Sequence, residues 1–149
     1  MKISVNAFGN NQKIPGRYTC DGENISPEIS ISGIPEKKYY MVILNDPDAP
    51  VGLFTHWIIY NIPSSVNLLH ENIEKLPITD ENFYQGKNDF GKIGYGGPCP
   101  PRGNGIHRYF FNLYMQDKKI ENEKINANDA YIIVRNKDKA VYMGTYIRP

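Results

Sequence analysis

Three features of the sequence predict an all-β fold with little helix, a sandwich or a barrel. About six short stretches are rich in β-branched and aromatic residues, the composition that suits a pleated, half-buried surface. The connections between them are crowded with Gly and Pro, 13 and 11 of 149 residues, and neither helix nor strand persists through such runs. Only residues 125–139 carry apolar side chains at helical spacing.

Taken in order, residues 2–7 alternate apolar and polar and predict a first strand. Residues 13–27 are punctuated by Pro and Gly and predict loop. Glu28–Ser32 alternates again and stops at Gly33 and Pro35. Tyr39–Asn45 is a continuous apolar run and predicts a strand buried on both faces. The Asp-Pro-Asp-Ala-Pro run of Asp46–Pro50 is expected to break it, with Ala49–Pro50 a place where a cis bond is a minority option. Thr55–Asn61 predicts a second strongly apolar strand. Residues 64–93 show no lasting periodicity and read as a long excursion with at most one helical turn.

The next strand, Ile106–Tyr114, emerges from the Gly- and Pro-rich loop Gly94–Gly105. Asp117–Glu123 is a charged turn. Residues 125–139 pose a conflict. Asn126 or Asn128 could cap a helix, yet Tyr131–Val134 has strand propensity. Ala140–Ile147 is the last strand. A chain of this length predicts one domain over 1–149. It buries roughly 68–70% of its unfolded surface, enough to fold without staples.

Composition narrows function. A net charge of +1 with scattered acids and bases gives no basic stripe for nucleic acid. No long apolar run marks a signal peptide or a membrane span, so the default location is the cytoplasm. Cys20 and Cys99 lack zinc spacing. Two free thiols are the default in a reducing cytosol, and a bridge between their two loops is the alternative. No cofactor motif is present.

The chemistry concentrates where the Gly-rich loop becomes strand. His107 and Tyr109 are two apart and share one side of that strand, while Arg108 points to the other. A titratable imidazole and a phenol thus lie beneath a stiff loop able to wall a small cavity.

Several residues together resemble the signature blocks of the phosphatidylethanolamine-binding proteins, in their bacterial and archaeal branch. These are Asp46-Pro-Asp-Ala-Pro50, then His56 at the head of a strand, then Pro100-Pro-Arg-Gly-Asn-Gly-Ile-His-Arg-Tyr109, with Cys20–Pro27 and the Gly-Gly-Pro-Cys-Pro-Pro loop alongside. The resemblance implies a β-sandwich of one large and one small antiparallel-rich sheet with short peripheral helices. It implies helix over 126–139 and a small anion-binding pocket at one end. The pocket residues it implies are Asp46, Phe54, His56, Pro101, His107 and Tyr109. Cys99 stands before the Pro pair where larger eukaryotic members have Gly, and no counterpart of their C-terminal lid is expected. Homodimers are expected from the same resemblance.

Gathered around one cavity, protonated imidazoles, a phenol and loop N–H groups are donors that suit a phosphate or carboxylate oxygen. Asp46 is expected to orient a His and hold its charge, or to meet the ammonium of a zwitterionic headgroup. Arg108 is expected to pair with Asp48, and Arg102 to sit on the loop rim. Trp57 is expected to point into the sandwich, away from His56. His70 falls outside both blocks and reads as surface or packing. The function expected is a non-enzymatic binding protein for a small anion or phosphorylated headgroup, a possible regulator of a protease or kinase partner. The alternative is a serine protease inhibitor acting through an exposed rigid loop. A two-His-one-carboxylate metal site or a hydrolase is the enzymatic reading, and no poised Ser or Cys nucleophile supports it.

Overall fold

The computed structural model describes residues 1–149. Nine strands and one α-helix run in the order β1 (Lys2–Val5), β2 (Gln12–Lys13), β3 (Ile29–Ser32), β4 (Tyr39–Ala49), β5 (Gly52–Pro63), β6 (Leu68–Leu69), β7 (Tyr84–Gln85), β8 (His107–Gln116), α1 (Ala127–Ile133) and β9 (Ala140–Tyr146). A 3₁₀ turn occupies Gly16–Tyr18. A small sheet, ordered β1-β3-β6, faces a large one ordered β2-β9-β8-β4-β5-β7. Only β2 and β9 pair in parallel.

Alternation along the central strands explains the layers. On β4, Tyr40, Val42 and Leu44 point into the core between the sheets, where they meet Ile3, Ile29 and Leu69 of the small sheet. Met41 and Ile43 face the other way and are covered by Ile125, Ala130 and Val134 around α1. A strand with both faces covered needs apolar side chains at every position, which is why 39–45 reads as one unbroken run.

The Asp46–Pro50 run does not end the strand as expected. β4 continues to Ala49, and Pro47 falls where the register shifts between Asp46 and Ala49. Pro47 has no N–H to offer a neighbouring strand, and an irregular position near the end of a strand tolerates that. All peptide bonds are trans. Residues 64–93 contain β6, β7 and irregular chain but no helix.

The conflict over 125–139 resolves as a short helix. Asn126 Oδ1 accepts the Asp129 N–H at 3.0 Å, and Asp129 Oδ2 accepts the Asn126 N–H at 3.0 Å. That reciprocal cap starts the helix. It ends at Ile133 rather than 139, just ahead of Asn136 with its φ of 63°. Cys20 and Cys99 form a disulfide, so the bridge replaces the two free thiols expected by default. Their loops are also joined by backbone and side-chain bonds from Cys20 N–H to Pro98 O and from Tyr95 O–H to Tyr18 O.

Candidate functional site

The site forms where β4, β5 and β8 end together. On β8, His107 and Tyr109 are buried and Arg108 is exposed, as alternation requires. On β5, one extra residue sits opposite the Leu44–Asn45 step, because Leu44 pairs with Trp57 and Asn45 with Thr55. That residue is His56. Such a bulge re-aims a side chain. The His56 ring therefore packs at 5.3 Å from Tyr109, which belongs to the core cluster that also holds Trp57. Trp57 does lie in the sandwich. The expected opposition of Trp57 and His56 fails because the bulge cancels the alternation between them.

Asp46, Phe54, His56, Pro101, His107 and Tyr109 all line one cavity of about 270 Å³. The sequence reading missed Phe90, which also lines it. Phe90 stacks edge-on against Phe54 at 4.8 Å and against His56 at 5.3 Å. It belongs to the aperiodic 64–93 stretch. The available signal was the Asn88-Asp-Phe-Gly91 turn: Asn88 Oδ1 accepts the Phe90 N–H, and Asp89 binds Thr55 through both backbone and side chain. The tip between β4 and β5, Ala49–Val51, was missed as well.

Each polar group has a defined setting. His107 Nδ1 lies 2.7 Å from Asp46 Oδ2, and both side chains are almost fully buried. The other Asp46 oxygen accepts the Asp48 N–H at 2.7 Å. On the far side of the ring, His107 Nε2 lies 2.5 Å from Asn104 Oδ1. Both ring nitrogens face oxygens, so both contacts are hydrogen bonds when the ring carries two protons.

His56 Nδ1 lies 2.7 Å from the Gly96 carbonyl, and the Gly96 N–H returns a bond to the His56 carbonyl at 3.0 Å. A carbonyl can only accept, so Nδ1 holds the proton of the neutral ring. Nε2 then carries a proton only in the imidazolium. Burial pushes the His56 pKa below its ordinary 6.5, against the opposing pull of the Gly96 bond and the Asp46 charge.

Tyr109 is completely buried and its hydroxyl has no hydrogen-bond partner, alone among the buried side-chain polar atoms. Burial first, then the Asp46 charge and the approach of that carboxylate to the hydroxyl, short of an ordinary hydrogen bond, raise its pKa far above the ordinary phenol value. It stays a neutral O–H. Arg108 grips Asp48 through Nε and a terminal nitrogen, each at 2.8 Å, with the backbone N–H adding a third bond at 2.9 Å. That pair holds Asp48 down to about 2. It is half-exposed and off the cavity. Arg102 reaches the Pro149 carbonyl at 3.1 Å. His70 is exposed and bonds Glu81.

The loop wall is fixed by close approach. A Cβ on Gly96 would fall 2.6 Å from the Phe90 ring, and one on Gly97 would fall 2.1 Å from the Tyr18 carbonyl oxygen. No helix is long and apolar enough to cross a membrane.

Comparison with known proteins places this geometry among relatives. Residues 4–147 match the family model described as phosphatidylethanolamine-binding protein. A UPF0098 protein of Aquifex aeolicus is 50% identical over 115 residues, 76% of this chain and 67% of its own length. Another, from Pyrococcus horikoshii, is 49% identical over 80% of this chain, and the match spans 61% of that relative's length. A crystal structure of a phosphatidylethanolamine-binding protein homologue from Chlamydia trachomatis aligns with a TM-score of 0.86 and 33% identity, covering 99% of this chain and 97% of that one. A carboxypeptidase Y inhibitor in complex with its proteinase shares the fold at a TM-score of 0.59 and 16% identity, over 94% of this chain and 76% of that one.

Proposed function

The chain belongs to the phosphatidylethanolamine-binding protein family, and we propose that it is a non-enzymatic binding protein whose cavity takes a small anion, free phosphate or a phosphorylated headgroup. One observation carries the reading. The Tyr109 hydroxyl is a buried donor without a partner, and a group left unpaired in that way costs about 1–3 kcal/mol unless something meets it. It lines the cavity together with His56 and His107. An oxyanion between them would accept from the phenol and from the second proton of His56.

The same geometry argues against a two-His-one-carboxylate metal site and a cysteine nucleophile. Both His107 nitrogens are engaged by protein oxygens, which leaves no lone pair for a metal or for general base work. Cys99 at the cavity wall is in a disulfide, so it offers no nucleophile.

NMR titration with sulfate, whose charge is constant near neutrality, tests the reading. Shifts are expected at Tyr109, His56 and Gly96, with affinity rising as pH falls below 6.5, because His56 is protonated only there. Unchanged affinity on both sides of pH 6.5, or shifts confined to surface lysines, would reject it. The inhibitor alternative would rest on residues 101–104, the exposed part of a loop whose other prolines, Pro98 and Pro100, are buried. Inhibition of serine proteases, lost on shortening that segment, would support it.

A further inference from the structure

We propose that Asn104 is a self-modifying site that deamidates faster than any other asparagine of the chain and thereby weakens the anion pocket. Asn104–Gly105 is the only Asn–Gly step in the sequence. It lies on an exposed loop. Asparagine deamidation proceeds by attack of the following backbone nitrogen on the side-chain carbonyl carbon, and asparagine is among the thermolabile residues for that reason.

Three features favour the reaction here. The Gly105 N–H has no hydrogen-bond partner in the protein, so its nitrogen is not held away by a competing acceptor. Open space surrounds the position a Gly105 Cβ would take, so nothing crowds the ring that must close. Asn104 Oδ1 lies 2.5 Å from His107 Nε2. A proton on that nitrogen draws electron density from the carbonyl and makes its carbon more electrophilic, as an oxyanion donor does.

The chemistry balances with water alone. A bond forms between Gly105 N and Asn104 Cγ, the Cγ–Nδ2 bond breaks, and the proton from Gly105 N leaves with ammonia. Water then opens the five-membered imide at either carbonyl, leaving aspartate or isoaspartate at position 104.

The consequence follows from what Asn104 touches. The product carboxylate would sit against the same imidazole that already holds Asp46. A second carboxylate then stands on the imidazole that lines the cavity, and added negative charge beside it disfavours an incoming anion. This consequence rests on the anion reading of the pocket. The modification itself does not.

The experiment ages the purified full-length protein at neutral pH and maps its peptides by mass spectrometry. Asn104 is expected to convert before every other asparagine, and Asn104→Gln to abolish that first conversion. Sulfate affinity is then compared for fresh protein, for the aged species separated by ion exchange, and for Asn104→Asp. A loss of about tenfold or more is expected in the last two. Another asparagine converting first would overturn the modification. Equal sulfate affinity in fresh and converted protein would overturn its effect. Fresh protein that fails to bind sulfate would reject the anion reading and the effect with it, while the peptide map still decides the modification.

Discussion

Tyr109 and Asp46 separate what the site does for stability from what it does for a ligand. Removing the Tyr109 hydroxyl takes away no hydrogen bond of ordinary geometry, only a looser approach to the Asp46 carboxylate. Tyr109→Phe is therefore expected to hold or raise stability, by up to about 1–2 kcal/mol, while weakening sulfate binding. A urea melt and a titration on the same sample check both signs. A clear loss of stability would mean the hydroxyl has a structural partner. Asp46→Asn should behave oppositely. It removes the carboxylate from a buried contact with His107, and breaking such a pair costs about 3–5 kcal/mol when the imidazole is charged. Urea unfolding measures it, and a cost below about 1 kcal/mol would contradict the paired geometry. At this scale the sequence was readable where alternation holds. His107, Arg108 and Tyr109 fall as period-two geometry requires. His56 did not, because the bulge that turns it toward Tyr109 leaves no mark in composition or spacing. Phe90 escaped because its position depends on the Asp89–Thr55 contacts, which join residues 34 apart.

The loops that wall the cavity are held by elements the strands do not supply. The disulfide spans 79 residues of chain, and closing a loop of that order stabilises by about 2–4 kcal/mol in practice. The Cys20→Ser, Cys99→Ser double variant is expected to lose that much in chemical denaturation. A loss near zero would show that the Tyr95–Tyr18 and Gly97–Asn24 bonds already hold the loops together. The glycines give a ranked pair. Gly97→Ala drives its Cβ into backbone, the Tyr18 carbonyl, whereas Gly96→Ala meets the Phe90 side chain, which can swing. Overpacking costs typically 1–3 kcal/mol, so Gly97→Ala should lie at or above that range and Gly96→Ala within it. Thermal melts of the two variants order them, and the reverse order would contradict the wall geometry. The strand runs themselves were legible as elements, while their ends were not. β4 was expected to stop at Asn45 and continues to Ala49, since its Asp48 and Asp46 side chains bind Arg108 and His107 of the neighbouring strand. Those are long-range contacts that outweigh the local breaker signal of two prolines. The disulfide was likewise open in the sequence, because pairing depends on where two loops meet.

Seventeen basic and sixteen acidic side chains leave the whole molecule almost uncharged, so its stability near neutrality is governed by individual histidines rather than by global repulsion. His56 and His70 act with opposite signs. His70 has its pKa raised, first by its bond to the Glu71 carbonyl and then by Glu81. It stabilises below 6.5, an effect lost as pH rises through its folded value. That side chain is 47% exposed, so the effect is small. His56 has its pKa lowered by burial. Below 6.5 the unfolded chain takes up a proton that the folded chain refuses, so stability falls as pH falls through that window. In a His70→Gln background the urea midpoint should therefore decline below pH 6.5. An anion that binds only when His56 is protonated reverses part of that decline, because a ligand of the folded state adds about 2.7 kcal/mol at a hundred times its Kd. Sulfate should then stabilise more strongly at pH 5.5 than at pH 8, about 1 unit below and about 1.5 units above an ordinary histidine pKa. Equal stabilisation at both would place the anion elsewhere on the molecule. A decline below 6.5 that sulfate leaves untouched would assign His56 to packing alone, with the fold and its two cores unchanged.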